Sequence, residues 1–139
     1  MPLVLKMTAL YVVLNAAIML ALALNVIRMR YRTQTRFGDG GNPEMQRAIR
    51  AHGNNTEYVP IALILLVLAH NLGATLLLIH AIGLTLTVGR MLHGIGFVER
   101  SHETPTGHSY LRRWGMILTL LAILTGILGC LWLLATAPA

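Results

Sequence analysis

Apolar residues along this chain gather into four runs separated by short polar stretches. The first extends from about Leu3 to Ile27 and is broken only by Lys6, Thr8 and Asn15. The second covers about Tyr58 to Ala69, the third Ala74 to about Val98, and the fourth about Trp114 to Thr136. A membrane-spanning helix needs about 20 residues, each rising about 1.5 Å. Runs one, three and four meet that length, and run two alone falls short. Just upstream of run two, Asn42-Pro43-Glu44 reads as a helix start: an Asn N-cap, Pro at the first helical position and an acid in the first turn. Helix two is therefore expected from Pro43 to about His70, polar in its first half and apolar in its second. Pro60 removes a backbone donor inside it and predicts a kink. To cross a membrane, this helix must carry part of the stretch from Arg47 to Glu57 to membrane depth. Charged groups there face a bundle interior or a wet cavity, since facing lipid costs several kcal/mol each. The pattern predicts a single all-α domain over residues 1–139, a membrane four-helix bundle with helices near 3–30, 43–70, 74–98 and 112–136.

Composition narrows the alternatives. Of 139 residues, 55% are hydrophobic and 12% charged, about half the charged share of a soluble domain. The apolar content excludes disorder, and a single cysteine, Cys130, excludes a disulfide scaffold. Eleven Lys and Arg against five Asp and Glu make the chain basic. The bases sit between the apolar runs, which is how membrane topology is written, rather than on an aromatic-interleaved nucleic-acid face. Arg28, Arg30, Arg32 and Arg36 lie between helices one and two, and Arg90, Arg100, Arg112 and Arg113 in or beside the link between helices three and four. His70-Asn71-Leu72-Gly73, the remaining link, has no Lys or Arg. The positive-inside rule then puts both basic links in the cytoplasm and both termini outside. Ala21-Leu22-Ala23 resembles a signal-peptide cleavage site, but the run before it is longer than a signal sequence needs and an arginine cluster follows.

The candidate chemistry sits in the polar half of helix two. At about 3.6 residues per turn, Arg47, Arg50, Asn54, Glu57 and Tyr58 share an arc of roughly 100°. Two readings fit this face. One is an internal ladder of charges and amides that joins helices. The other is a site for a small charged ligand, in which arginine grips carboxylates and Glu57 receives an ammonium. Spacing specifies an anionic, polar ligand and does not choose among such ligands. Arg90, His93 and Phe97 form a second stripe near the end of helix three, and Arg112-Arg113-Trp114-Gly115 opens helix four. Arg112 and Arg113 read equally as topology anchors or as cations that would hold a thiol as its thiolate. His52 points away from the main arc, and His70 and His80 lack partners at metal spacing. His102, His108, Ser101 and Ser109 show no catalytic context, so no metal site is expected. Cys130 reads as a small buried residue, and Gly38-Asp39-Gly40-Gly41 as a turn rather than a phosphate loop. Gly83, Gly89, Gly94, Gly96, Gly126 and Gly129 are expected at close helix contacts. The halves of the helices away from the basic links look almost wholly apolar, which disfavours a transporter.

These residues resemble a known family, the membrane-associated proteins in eicosanoid and glutathione metabolism (MAPEG). The resemblance rests on Arg50-Ala51-His52-Gly53-Asn54-x-x-Glu57-Tyr58-x-Pro60, on Arg90-x-x-His93, and on an arginine opening helix four. The run from Tyr31 to Pro60 most resembles the bacterial inner-membrane branch of that family. The resemblance implies a homotrimer with glutathione as co-substrate held between subunits near the cytoplasmic side. It implies ligand contacts from Arg28 or Arg30, from Arg50, Asn54, Glu57 and Tyr58, and from Arg90 and His93 of a neighbour. Arg113 or Arg112 would stabilise the thiolate. The implied activities are glutathione transfer to lipophilic electrophiles and glutathione-dependent reduction of hydroperoxides. Other members bind lipids without catalysis, so a non-catalytic scaffold or lipid-binding protein is the alternative. Three departures stand out: Phe97 where several enzymatic members carry tyrosine, Gly53 where several carry a larger apolar residue, and Gln46 where some carry an acid.

Overall fold

The structure is a computed structural model and describes residues 1–98 and 109–136. Arg100, Ser101, His102 and His108, singled out above, lie outside the described residues. Four α-helices make up the fold: α1 (Leu3–Thr33), α2 (Pro43–Asn71), α3 (Leu76–Val98) and α4 (Tyr110–Thr136). Three of them, α1, α3 over Leu76–Phe97 and α4, are long and apolar enough to cross a membrane. The all-α membrane bundle read from the run lengths is thus the architecture observed.

The helix ends follow from local chemistry. Asn42 caps α2 through its side-chain oxygen, which accepts from the backbone N–H of Glu44 at 2.9 Å and of Met45 at 3.1 Å. Pro43 then occupies a position whose N–H would have no helical partner. At the other end of this link α1 runs to Thr33 and stops at Gln34, which adopts a left-handed φ of 53°. The Arg30 guanidinium turns back over the link and donates to the carbonyls of Thr35, Arg36 and Gly38 at 3.1–3.4 Å. Gly38, Gly40 and Gly41 all have positive φ, a conformation that glycine adopts without a Cβ penalty.

Within the bundle α1 and α4 make no contact among the described residues, and α2 and α3 lie between them, touching both. The closest seam joins α3 to α4. A Cβ built on Gly115 would meet Gly89 O at 2.6 Å and the His93 Cβ at 2.7 Å, so only glycine lets the two backbones approach this closely. The apolar core has its largest cluster at the end away from the basic links, around Tyr11, Leu66, Ala69, Ile79, Ile82 and Cys130. A smaller cluster of Met29, Met45 and Ala48 sits at the basic end, and Ala62, Leu86 and Ala122 fill the middle. Membrane helices gain little from hydrophobic burial against lipid tails that are equally apolar. Close small-residue packing and internal hydrogen bonds therefore carry much of the cohesion.

The half away from the basic links is less apolar than the sequence pattern implied. The Tyr11 hydroxyl and His80 Nδ1 are 2.6 Å apart, and the Asn15 amide donates to Thr87 Oγ1 at 2.9 Å and to the Tyr11 carbonyl at 2.9 Å. These polar residues lie scattered in apolar runs, and only the α1–α3 register brings them together.

Candidate functional site

Arg90 is the centre of the polar half. It is 1% exposed, among the largest side chains buried so completely. Its Nε donates to Thr119 Oγ1 of α4 at 2.7 Å, one terminal nitrogen donates to Asn54 Oδ1 of α2 at 2.9 Å, and the other approaches the Met116 sulfur at 3.9 Å. All three acceptors are neutral. Thr119 is itself oriented by donating to the Gly115 carbonyl at 2.8 Å. One guanidinium thus ties three helices, and among the described residues the acceptors it reaches are neutral. A buried charge held only by neutral groups is costly, and an anion beside it would offset much of that cost.

His93, one turn beyond Arg90, is also buried, and its ring packs on Phe97 with centroids 5.1 Å apart. The Arg112 guanidinium lies over the Phe97 ring, 4.9 Å from its centroid. Arg112 is half-buried and Arg113 exposed. The two arginines that the sequence left undivided therefore occupy different surroundings: Arg112 faces the aromatic pair of α3, and Arg113 faces outward.

The helix-two face splits in the same way. Asn54 and Tyr58 are half-buried, with Asn54 on Arg90, whereas Arg50 and Glu57 are exposed on the surface of the single chain. Their depth matters. Arg90 lies about 10 Å inside the Phe97 end of its apolar span, at 1.5 Å per residue, and it fixes the level of Asn54. Glu57 is one turn deeper still, near the middle of a hydrocarbon layer about 30 Å thick. The opposite side of α2, Met45, Ala48, Ala51, Asn55, Val59 and Ala62, is buried against the bundle.

Of the two arginines proposed for the end of α1, Arg30 is engaged with the link carbonyls. Arg28 instead lines a pocket between α1 and α2 with Arg32, Glu44 and Arg47. Arg32 and Glu44 form an ion pair at 3.7 Å across its mouth. The structure therefore brings Asn54, Arg90 and His93 into one buried grouping, with Arg112 adjoining through Phe97. Arg50 and Glu57 lie on the outer face beside it, and Arg28 and Arg30 lie at the α1–α2 link.

Several polar partners escaped the sequence reading. Thr119 and Met116 complete the Arg90 site, and their signal was faint: Thr119 belongs to a small-residue stripe, Gly115, Thr119, Ala122, Gly126 and Cys130, all buried on one face of α4. Asn55 is 2% exposed with its amide nitrogen unpartnered, and Asn15 Oδ1 and His70 Nδ1 share that condition among the described residues. Cys130 is buried with its thiol 3.6 Å from the Leu65 carbonyl. Among the described residues no group of three His, Cys, Asp or Glu side chains converges as metal ligands.

Comparison with known proteins places this geometry in a family. The chain is 38% identical over 125 residues to the inner membrane protein YecN of Escherichia coli strain K12, a match covering 90% of each chain. The same protein from an Escherichia coli O6:H1 strain matches to the same extent. The sequence profile of the MAPEG family matches residues 8–132, from the first turns of α1 almost to the end of α4. With four helices, three of them long and apolar enough to cross a membrane, and with the arginine and asparagine of the expected motifs hydrogen-bonded to each other, the chain belongs to the MAPEG family.

Proposed function

We propose that this protein binds glutathione at the polar half of α2 and activates its thiol toward lipophilic electrophiles or hydroperoxides delivered through the bilayer. The observation that carries this reading is the buried Arg90 guanidinium, fixed by Asn54 and Thr119, whose acceptors among the described residues are all neutral. It offers a carboxylate a preformed, desolvated partner. The second support is the exposure of Arg50 and Glu57 at membrane depth. Left against lipid, each ionised group would cost about 2.5–3.5 kcal/mol or more. A neighbouring subunit with a zwitterionic ligand between covers both, which is why the functional unit is proposed to be a homotrimer. Arg50 would receive a carboxylate, Glu57 the ammonium, and Asn54 and Tyr58 the remaining polar groups. Arg28 and His93 would border the site.

For the thiol, Arg112 is the better placed of the two candidates, being half-buried over Phe97, whereas Arg113 serves as a topology anchor. A guanidinium beside the sulfur lowers the thiol pKa and raises the thiolate fraction at neutral pH. In transfer, the thiolate sulfur bonds to the electrophilic carbon and the displaced group departs with its electron pair. In peroxide reduction, two glutathione molecules are oxidised to the disulfide while the hydroperoxide becomes an alcohol and water. The basic links then face the cytoplasm of an inner membrane, with both termini on the far side.

The test is the ultraviolet absorbance of bound glutathione together with turnover of chlorodinitrobenzene and cumene hydroperoxide, on detergent-purified protein. Wild type is expected to show a thiolate band and turnover, both absent in Arg112→Ala and retained in Arg113→Ala. Glutathione binding without thiolate or turnover would instead support the non-catalytic reading, which Phe97 in place of tyrosine favours by removing one hydroxyl from the pocket.

A further inference from the structure

The outward face of α1 ends in a hollow separate from the Arg90 grouping. Leu20, Leu24, Ile27 and Tyr31 recur every three or four residues and so share one face, and all four are exposed. Where this stripe ends, α1 and the link after it border an open hollow of about 450 Å³, lined by Ile27, Arg30, Tyr31, Gln34, Thr35 and Arg36. Two guanidinium groups line it and no carboxylate does. Of the carboxylates nearest in sequence, Asp39 accepts from the Gly41 N–H at 3.0 Å and Glu44 pairs with Arg32.

The two guanidinium groups are open to a ligand in different ways. Arg30 holds the link carbonyls through one terminal nitrogen only. Those bonds fix the group and leave the edge formed by Nε and its other terminal nitrogen without an acceptor among the described residues. The Arg36 side chain is exposed and has no partner among the described residues. Phe37, next to it, is 89% exposed, although Arg30 holds the carbonyls of Arg36 and Gly38 on either side of it. The levels match one membrane leaflet. From Leu20 to Ile27 the stripe rises about 10 Å, inside the roughly 15 Å that one leaflet contributes to the hydrocarbon core. Tyr31 and Gln34 continue it by about 5–10 Å, into the layer where aromatic and basic side chains gather.

We infer that this hollow binds the headgroup of one anionic glycerophospholipid from the leaflet on the basic side. The phosphate is taken by the open edge of Arg30 and by Arg36, and an acyl chain lies along Ile27, Leu24 and Leu20. Phe37 enters the same headgroup layer. Guanidinium groups grip phosphate oxygens bidentately, and basic pockets beside membrane helices collect anionic headgroups. A zwitterionic lipid would bring an ammonium beside two guanidinium groups. A free phosphate would leave the apolar stripe unused. The inference does not rest on the glutathione reading, which takes Arg28 from α1 and none of the six residues that line this hollow.

The test is thermal melting of the full-length, delipidated protein in dodecylmaltoside with added dioleoylphosphatidylglycerol, dioleoylphosphatidylcholine or inorganic phosphate, with bound lipid counted by native mass spectrometry. Wild type is expected to gain at least twice as many degrees from the anionic lipid as from the zwitterionic one, to gain nothing from inorganic phosphate, and to retain one anionic lipid per chain. Arg36→Gln removes a phosphate contact and Tyr31→Glu places a carboxylate in the hollow. Both side chains are exposed, and both variants are expected to lose the anionic excess. Arg113→Gln removes the same charge as Arg36→Gln from an exposed position at the same end of the bundle, and it is expected to keep the excess. Equal gains from the two lipids in wild type, or a matching gain from inorganic phosphate, would overturn the inference. So would survival of the excess in Arg36→Gln or Tyr31→Glu, or its loss in Arg113→Gln, which would make net charge the cause.

Discussion

The two halves of this bundle treat polar side chains in opposite ways. Away from the basic links, polar groups are uncharged and paired across one seam, Tyr11 with His80 and Asn15 with Thr87. Toward the basic links they include full charges: Arg90 buried on neutral acceptors, and Arg50 and Glu57 turned outward at membrane depth. Neutral pairs inside a membrane bind helices together for a modest gain, averaging about 0.6 kcal/mol. A guanidinium buried without a carboxylate gains nothing comparable and is costly unless something anionic joins it. The first arrangement is cohesion; the second is the one we propose as a receptor.

The largest effect is expected at Arg90. Arg90→Met is expected to weaken glutathione binding about 30-fold or more, equivalent to at least 2 kcal/mol for a buried charge contact. Its melting temperature in detergent should stay level or rise, because an apolar side chain of similar size needs no desolvation. Concurrent loss of stability and binding would mean that Arg90 is cohesion after all. Gly115→Leu tests the seam that presents the site: with Gly89 O and the His93 backbone in the way, overpacking is expected to cost about 1–3 kcal/mol, read as a lower melting temperature. Asn42→Ala removes the cap of α2 and should cost about 1 kcal/mol, with the first turns of α2 exchanging amide hydrogens faster. The smallest effect belongs to Tyr11→Phe, about 0.6 kcal/mol of stability, with glutathione affinity unchanged; altered affinity would show that the two halves are coupled.

Helices α1, α3 and α4 were legible because membrane length leaves a plain mark, a run of apolar residues long enough to cross. The start of α2 was legible for a different reason, since Asn42, Pro43 and Glu44 each satisfy a distinct need of a helix N-terminus. The helical arc of α2 put Arg47, Arg50, Asn54, Glu57 and Tyr58 on one side. It gave no information on which of them would be buried, because that depends on where α3 and α4 lie. Thr119 and Met116 as partners of Arg90 were out of reach for the same reason. The α3–α4 register is set by backbone contact at Gly89 and Gly115, and no local pattern encodes which glycine meets which. Arg30 shows the reverse case. By position it equalled Arg28 as a ligand candidate, yet the αL turn at Gln34 folds the link back onto its guanidinium and engages it with three carbonyls.

Whether the charged half of the bundle receives a small anionic thiol peptide is read out by titration calorimetry of glutathione into the detergent-purified protein. Saturable, one-site binding is expected for wild type and its loss in both Arg50→Ala and Glu57→Ala, whose side chains are exposed. No heat of binding at millimolar glutathione, or equal binding by wild type and both variants, would contradict the glutathione reading.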